Sequence, residues 1–197
     1  MKKIIAFFIV LLLVSSQAFA WKITKELEQE IKQKKQALKE NDPISHFDLA
    51  ITYAYSNKIE EGWGLLKKVD TMDPEFKTQG WQLYTKKATE QPSDWKLRFR
   101  LGFALYFAGK KEAAIKELKN VLVIDPYNIW AYGYIGLIYG EMGQTDNAIK
   151  YIKDGLAIDQ LVAALHLLLS QAYYKKGDSW GGFAEAANAV RLRALGY

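Results

Sequence analysis

The chain has 197 residues, of which 50% are hydrophobic and 25% are charged, and its formal net charge is +5 at pH 7. This composition excludes an intrinsically disordered chain, which would have too few apolar residues to form a core. The positive charges are interspersed with negative ones, so the balance also argues against a nucleic-acid-binding surface, which needs Lys and Arg clustered on one face.

Residues 1–20 have the three parts of a secretory signal peptide. Two lysines give a positive start, an unbroken apolar run extends from Ile4 to Val14, and the segment ends in the small-x-small pattern Ala18-Phe19-Ala20. As a helix the apolar run would be about 17 Å long, whereas the hydrocarbon core of a bilayer is about 30 Å thick. We therefore expect cleavage after Ala20, export to the periplasm or the extracellular side of a bacterial envelope, and no stable membrane insertion afterwards. An uncleaved membrane anchor is the alternative.

Residues 21–41 are highly charged and are predicted to form a helix with a narrow apolar seam of Ile23, Leu27, Ile31 and Leu38. We interpret this segment as an N-terminal helix that docks its seam on the first helical pair. A coiled-coil self-association segment is the alternative, but it needs an apolar heptad pattern sustained over several heptads, and this seam is too short.

A helical pair is predicted next, over residues 43–76. Asp42 is suited to cap its first helix and Pro43 to begin it. Residues 75–91 then form one more helix, because no turn signal divides them in two. An unpaired helix changes the alternation of first and second helices, so we expect the stack to bend or to be capped there. We predict two subdomains, residues 21–91 and 92–197, which share one continuous or slightly broken core.

The clearest pattern in the chain is a helix-turn-helix unit that returns at a fixed spacing. Three landmarks define this spacing: Gly102 returns as Gly136, Gly109 as Gly143, and Ala114 as Ala148. In each unit the first helix ends at a glycine, where positive φ costs least, and the second has an apolar face opposite a charged one. A fixed period of this size indicates stacked helical units.

These units resemble the tetratricopeptide repeat, whose pattern W-x2-L-G-x2-Y, A-x3-F and P has the same period of about 34 residues. One copy matches the pattern at Leu101, Gly102, Leu105, Ala114, Leu118 and Pro126. The next copy matches at Tyr132, Ile135, Gly136, Tyr139, Ala148 and Ile152, and departs from the pattern at Gln160. Weaker copies begin at about Ala163 and at Pro43. The resemblance implies an all-α solenoid, an α-α superhelix of about nine or ten helices.

In proteins of that family the first helices of the repeats line a concave inner wall, which holds a peptide or a partner protein. Carried over by position, the partner-binding groove would consist of Phe99, Phe103, Tyr106, Trp130, Leu137 and Tyr174. The first copy would extend this wall with Phe47, Ile51 and Tyr55. Aromatic anchors dominate binding energy at interfaces, but the same rings also pack well in a core, so both interpretations stay open. The family's carboxylate clamp is not expected, because phenylalanines stand at its positions.

No residue pattern supports catalysis, a metal or a cofactor. The two histidines, His46 and His166, fall at the same position of their repeats, and we interpret both as packing residues. The chain has no cysteine, which excludes disulfides and thiolate sites. It also has no Gly-rich phosphate loop, nucleophile elbow or H-E-x-x-H motif. We therefore predict that the protein is not an enzyme and needs no cofactor.

The last repeat ends without a polar capping helix, although solenoids normally need one for solubility. Its apolar end is a candidate docking or dimerisation face, unless Arg191 and Arg193 suffice to keep it soluble. We predict an exported scaffold that binds a peptide or a partner protein through its concave face, with no nucleic-acid partner. A self-associating structural module of the cell envelope, acting as a homo-oligomer, is the alternative.

Overall fold

The computed structural model describes residues 23–197, which form ten α-helices and contain no strand. The helices are α1 (Lys25–Gln36), α2 (Pro43–Ala54), α3 (Ile59–Met72), α4 (Phe76–Glu90), α5 (Trp95–Phe107), α6 (Lys111–Ile124), α7 (Ile129–Glu141), α8 (Thr145–Ile158), α9 (Ala163–Lys176) and α10 (Ser179–Ala194). The predicted all-α solenoid of nine or ten helices is confirmed. No helix of this part of the chain is both long and apolar enough to cross a bilayer. The predicted signal peptide lies outside the described residues.

Three helical pairs, α5–α6, α7–α8 and α9–α10, repeat with the predicted period. Their first helices begin at Trp95, Ile129 and Ala163, which are equally spaced along the chain. The turn between the two helices of each pair contains a glycine in the left-handed region: Gly109 with φ of 73°, Gly143 with φ of 75° and Gly177 with φ of 87°. Only glycine adopts this conformation without a steric cost, so the periodic glycines fix where each first helix ends.

The two helices of a pair approach each other closely at a second periodic glycine. A Cβ atom added to Gly102 would lie 3.0 Å from Leu118 Cγ, and one added to Gly136 would lie 2.5 Å from Ile152 Cγ1. Real Cβ atoms essentially never come so close to another atom as in the second case. Gly102 and Gly136 are therefore the positions at which the two helices of a pair pack most closely on each other.

Helix α1 docks on α2, as its seam predicted. Buried Ile31 packs with Leu49 and Tyr53 of α2, and Ile23, Leu27 and Leu38 surround this small cluster. A second and larger core cluster runs from α2 to α9 without a break. Residues 75–91 form the single helix α4, also as predicted. The larger cluster contains residues from both sides of the predicted boundary between residues 91 and 92. The division into two subdomains therefore stays a prediction.

Helix α4 changes how the first helical pair is attached to the stack. It packs along α5 in the same way that α6 packs along α7 and α8 along α9, and it makes only slight contact with α3. The place next to α5 that a second helix would fill is therefore taken by α4. Consequently α2 and α3 cannot simply continue the solenoid toward the N-terminus.

Candidate protein-binding wall

Helix α2 lies across α5 and runs in the opposite direction. Phe47, near the start of α2, has its ring centroid 6.4 Å from that of Phe107 at the end of α5. Tyr55, just after α2, has its ring centroid 5.2 Å from that of Trp95 and 5.4 Å from that of Phe99, both at the start of α5. The sequence predicted that α2 extends the row of first helices. These contacts show that it does not. It lies on top of that row.

The first helices α5 and α7, in contrast, run side by side in the same direction. The ring of Tyr134 on α7 lies 5.8 Å from Phe99 and 4.5 Å from Phe103, measured between centroids. Further along both helices, the Tyr106 hydroxyl donates a hydrogen bond of 2.7 Å to Glu141 Oε1. We use the name inner wall for the faces of α5, α7 and α9 that carry the six residues predicted as a groove.

The part of the inner wall on α5 is covered by α2. Phe99 and Phe103 are stacked, with ring centroids 5.3 Å apart, and both are buried. The Tyr134 hydroxyl donates a hydrogen bond of 3.2 Å to the carbonyl oxygen of Ala54, at the end of α2. Phe47 and Tyr55 of the first copy face this wall, although their repeat positions had predicted that they belong to it. Phe99 and Phe103 therefore offer no surface to a partner while α2 is in place.

A buried arginine holds α1 and α2 on α5. Arg100 is 5% exposed, and its Nε lies 3.0 Å from Asp48 Oδ1 as an ion pair. Its Nη2 lies 3.2 Å from Glu30 Oε1 and donates hydrogen bonds of 3.0 Å to Thr52 Oγ1 and to the hydroxyl of Tyr55. One guanidinium thus contacts a carboxylate on α1, a carboxylate and a hydroxyl on α2, and the hydroxyl of the residue that follows α2. Such a fork of fixed donors is specific to arginine.

Further hydrogen bonds complete the network around the two carboxylates. The Tyr55 hydroxyl donates to Glu30 Oε1 at 2.7 Å, Lys96 Nζ forms an ion pair with Glu30, and the Tyr84 hydroxyl donates to Asp48 Oδ1 at 2.9 Å. Burial alone would raise the pKa of the Glu30 carboxyl. The hydrogen bonds from Lys96 and Tyr55, together with the charges of Lys96 and Arg100, outweigh burial and lower this pKa below its ordinary value of 4.5.

Sequence reasoning did not single out this network. The available signal was an arginine in the middle of a largely apolar helix, since α5 reads WKLRFRLGFALYF. A charge at such a position is expensive to bury unless it is paired. Its partners could not be named, because Glu30 and Thr52 lie 70 and 48 residues away in the sequence.

The inner wall on α9, and on α7 beyond Tyr134, is more exposed than the part on α5. Leu137 and Gln171 occupy the repeat position of Phe103, and Leu167 occupies that of Phe99. Leu137 is half-buried, whereas Leu167 and Tyr174 are among the exposed large hydrophobic residues of the described chain. We call the surface formed by Leu137, Leu167, Gln171 and Tyr174 the open wall.

The two remaining predicted residues lie at the margins of the wall. Tyr106 is half-buried, and burial together with its hydrogen bond to Glu141 raises the pKa of its phenol. Trp130 is buried and lines a cavity of about 240 Å³ together with Tyr55 and Trp95. The structure therefore brings Phe99 and Phe103 together in a covered wall and separates them from Tyr174 at its open end. Whether any of the six residues binds a partner stays a prediction.

Both histidines contact neighbouring polar groups. Buried His46 has its Nδ1 atom 3.0 Å from the carbonyl oxygen of Asp42, at the start of α2. His166 joins α9 to α10, because its Nδ1 lies 2.5 Å from Glu185 Oε2, and its Nε2 lies 2.9 Å from the carbonyl oxygen of Gln160. Within residues 23–197, no group of three His, Asp or Glu side chains is placed to hold a metal ion.

The Arg100 network predicts a large loss of stability when its cation is removed. Arg100→Met should lower the free energy of unfolding by about 3 kcal/mol, the lower end of the range for breaking a buried ion pair, because half-buried Asp48 loses its cation whereas Glu30 still has Lys96. Neutralising these groups as well, in Arg100→Met/Glu30→Gln/Asp48→Asn, should recover a large part of the loss. Urea denaturation measures the free energy of unfolding of both variants. A loss below about 1 kcal/mol for the single variant would mean that the network is not buried in solution.

The lowered pKa of Glu30 predicts how stability depends on pH. Above 4.5 its carboxylate is ionised in the folded and unfolded chains, so its interactions contribute fully. Below that value the unfolded chain binds the proton first, and the contribution is lost as the pH falls through the lower pKa of the folded state. The free energy of unfolding should therefore fall from about pH 5 downwards, and it should fall less steeply in Glu30→Gln.

The matched control for this pH dependence is Glu28→Gln, which removes an exposed carboxylate from the same helix. Urea denaturation at a series of pH values should give this variant the slope of the wild type. The same slope in Glu30→Gln as in the wild type would contradict the assignment.

Comparison with known proteins agrees with this architecture. Residues 131–160, which cover α8 and most of α7, match the family model of the tetratricopeptide repeat. A crystal structure of MamA has a TM-score of 0.50 at 21% identity, and the alignment covers 86% of this chain and 90% of that one. A MamA structure from MSR-1 has a TM-score of 0.50 at 17% identity and covers 87% and 90%. No curated protein matches the sequence. At these identities the structural likeness shows the fold alone, and the family-model match shows one tetratricopeptide repeat, at residues 131–160.

Proposed function

We propose that this protein is an exported, non-enzymatic scaffold that binds a peptide or a partner protein through the open wall. The observation that carries the proposal is the exposure of Leu167 and Tyr174 on a wall whose equivalent part on α5 is buried under α2. Exposed apolar residues that form a contiguous patch mark protein-interaction sites. The tetratricopeptide repeat fold supports a role in protein interaction.

Helix α2 indicates what kind of segment this wall accepts. It is a helix that lies on the first helices, in the direction opposite to α5, with Phe47 and Tyr55 against aromatic rings of the wall. The open wall continues the same row of helices through α7 and α9. We therefore propose that its partner presents an amphipathic helix, which is the helix-in-groove mode of recognition.

The charges at the edge of the open wall are already engaged within the chain. Glu141 forms an ion pair of 3.0 Å with Lys111 Nζ and accepts the hydrogen bond of Tyr106. Lys175 Nζ donates a hydrogen bond of 3.1 Å to the carbonyl oxygen of Gly140. The free binding capacity of the wall is mainly apolar, so the proposed complex should depend little on salt, unlike one held by surface ion pairs.

The binding role predicts site-specific crosslinking. A photoreactive benzoylphenylalanine placed at Leu167 should crosslink to a partner in envelope fractions, and the same residue placed at exposed Val123 on α6 should not. Tyr174→Ala should weaken the crosslink from position 167 and lower the melting temperature only slightly, because about half of this side chain is exposed, although its ring packs beside Gly182 of α10. Mass spectrometry of the product identifies the partner. Equal crosslinking from both positions would reject the open wall as the binding surface.

A matched variant separates binding from folding. Phe99→Ala should lower the free energy of unfolding by about 3–5 kcal/mol, because its ring is fully buried under α2. Any loss of crosslinking in that variant should therefore be accompanied by a loss of stability. Tyr174→Ala should lose crosslinking with only a small loss of stability, because its side chain is far less buried than that of Phe99.

The proposal of export depends on residues 1–20. Their charged start, short apolar run and Ala18-Phe19-Ala20 ending support a cleaved signal peptide. N-terminal sequencing of the protein from the periplasmic fraction of a bacterial host should therefore begin at Trp21. Ala20→Arg should block processing, because signal peptidase needs a small residue there, whereas Phe19→Leu should not. An unprocessed wild-type chain in the cytoplasmic fraction would contradict export.

A further inference from the structure

The last helix of the chain has an apolar stripe that nothing in the described chain covers. Trp180, Phe183 and Val190 of α10 are 79%, 58% and 69% exposed. The rings of Trp180 and Phe183 are stacked on each other, with centroids 5.9 Å apart. Exposed Ala187 and Ala194 continue the stripe at alternating spacings of three and four residues, which is the spacing of helix-pairing seams. We call these five residues the α10 seam.

Two residues of this seam occupy repeat positions that are buried between helices in the preceding repeats. Phe183 occupies the repeat position of Ile115 on α6 and of Ile149 on α8, which are only 5% and 9% exposed. Val190 occupies the position of Leu156, which is 8% exposed. In those repeats α6 packs against α7 and α8 packs against α9. Phe183 and Val190 therefore stand where another helix covers the second helix in the preceding repeats, whereas Ala187 stands where those repeats have exposed Lys119 and Lys153.

Trp180 is apolar where the equivalent residues of the other repeats are charged, and this difference favours an interface. The equivalent residues in α6 and α8 are Glu112 and Asp146, which are exposed and charged. Instead the chain has a tryptophan, which gains little from packing within a single copy. Tryptophan is enriched among the residues that contribute most to protein–protein binding.

We propose that the α10 seam joins two copies of this chain, with the two α10 helices antiparallel and crossing at Ala187. In this arrangement Trp180 lies opposite the small Ala194 of the second copy, and Phe183 lies opposite its Val190. Large side chains thus meet small or branched ones, and the methyl groups of Ala187 let the helices approach closely at the symmetry axis. This inference does not rest on the open wall, which belongs to α7 and α9.

The charges beside the seam favour the same arrangement. Arg191 and Arg193 lie near the end of α10, and Asp178 caps its start, where its side chain accepts a hydrogen bond from the backbone of Gly181. Antiparallel pairing brings the arginines of one copy close to Asp178 and the indole face of Trp180 in the other, which is attractive. Parallel pairing would place four arginines together. The surface ion pair of Arg193 with Glu60 involves largely exposed groups and opposes this exchange only weakly.

Mass measurement over a range of protein concentrations tests the proposal. A single helix pair is a small interface, so light scattering of the protein produced from the full chain should show a dimer that forms as concentration rises. Phe183→Glu/Val190→Glu should be monomeric at the same concentrations, because antiparallel pairing would bury opposing carboxylates. The control Val123→Glu/Tyr127→Glu changes equally exposed apolar residues and should remain dimeric. All variants should keep the circular dichroism spectrum of the wild type.

Cysteine crosslinking tests the direction of the helices, since the chain has no cysteine of its own. Ala187→Cys should form a disulfide-linked dimer on oxidation, whereas Ala194→Cys should not, because only position 187 comes near its own copy in an antiparallel pair. Crosslinking at both positions would overturn the antiparallel arrangement. A wild-type chain that stays monomeric, or a dimer that survives Phe183→Glu/Val190→Glu, would overturn the proposal that the α10 seam joins two copies. The seam would then be a candidate surface for a different protein. Neither result would alter the crosslinking expected at Leu167, so this proposal and the binding proposal fail separately.

Discussion

The position of the first three helices depends on one buried cation. Arg100 reaches carboxylates on both α1 and α2, and a buried charge is tolerated only when it is paired and hydrogen-bonded. Sliding α2 by one turn along α5 would separate Asp48 from the guanidinium and leave charges unpaired. Apolar packing between Phe47, Tyr55 and the rings of α5 would tolerate several such registers. The ion pairs therefore select one register, while the aromatic contacts supply much of the burial.

Helix α4 explains why α2 lies on the inner wall at all. Because α4 packs along α5 as α6 and α8 pack along the first helices that follow them, the stack is already complete on that side. The apolar face of α2 must be buried elsewhere, and the aromatic wall of α5 is the adjacent apolar surface. One additional helix thus converts the part of a candidate groove on α5 and the start of α7 into core and leaves the surface from Leu137 to Tyr174 open.

The two surfaces proposed for interaction lie on different helices of the C-terminal half. The open wall uses α7 and α9, and the α10 seam uses the outward face of the last helix. A dimer formed through the seam would present two open walls at a fixed separation. Binding of a partner with two equivalent segments would then gain from effective concentration, without any new contact at either wall.

The sequence by itself determined the features that depend on local spacing. The fixed repeat period, the turn glycines and the apolar faces predicted the all-α solenoid, the single helix α4 and the docking of α1, because each of these follows from neighbouring residues. The tertiary structure decided which element covers each apolar face. A pattern shows that Phe99 and Phe103 face away from water, but whether a partner or α2 excludes that water depends on residues far away in the sequence. For the same reason the partners of Arg100, which lie 45 to 70 residues before it, and the exposure of Leu167 and Tyr174 were settled only by the packed chain.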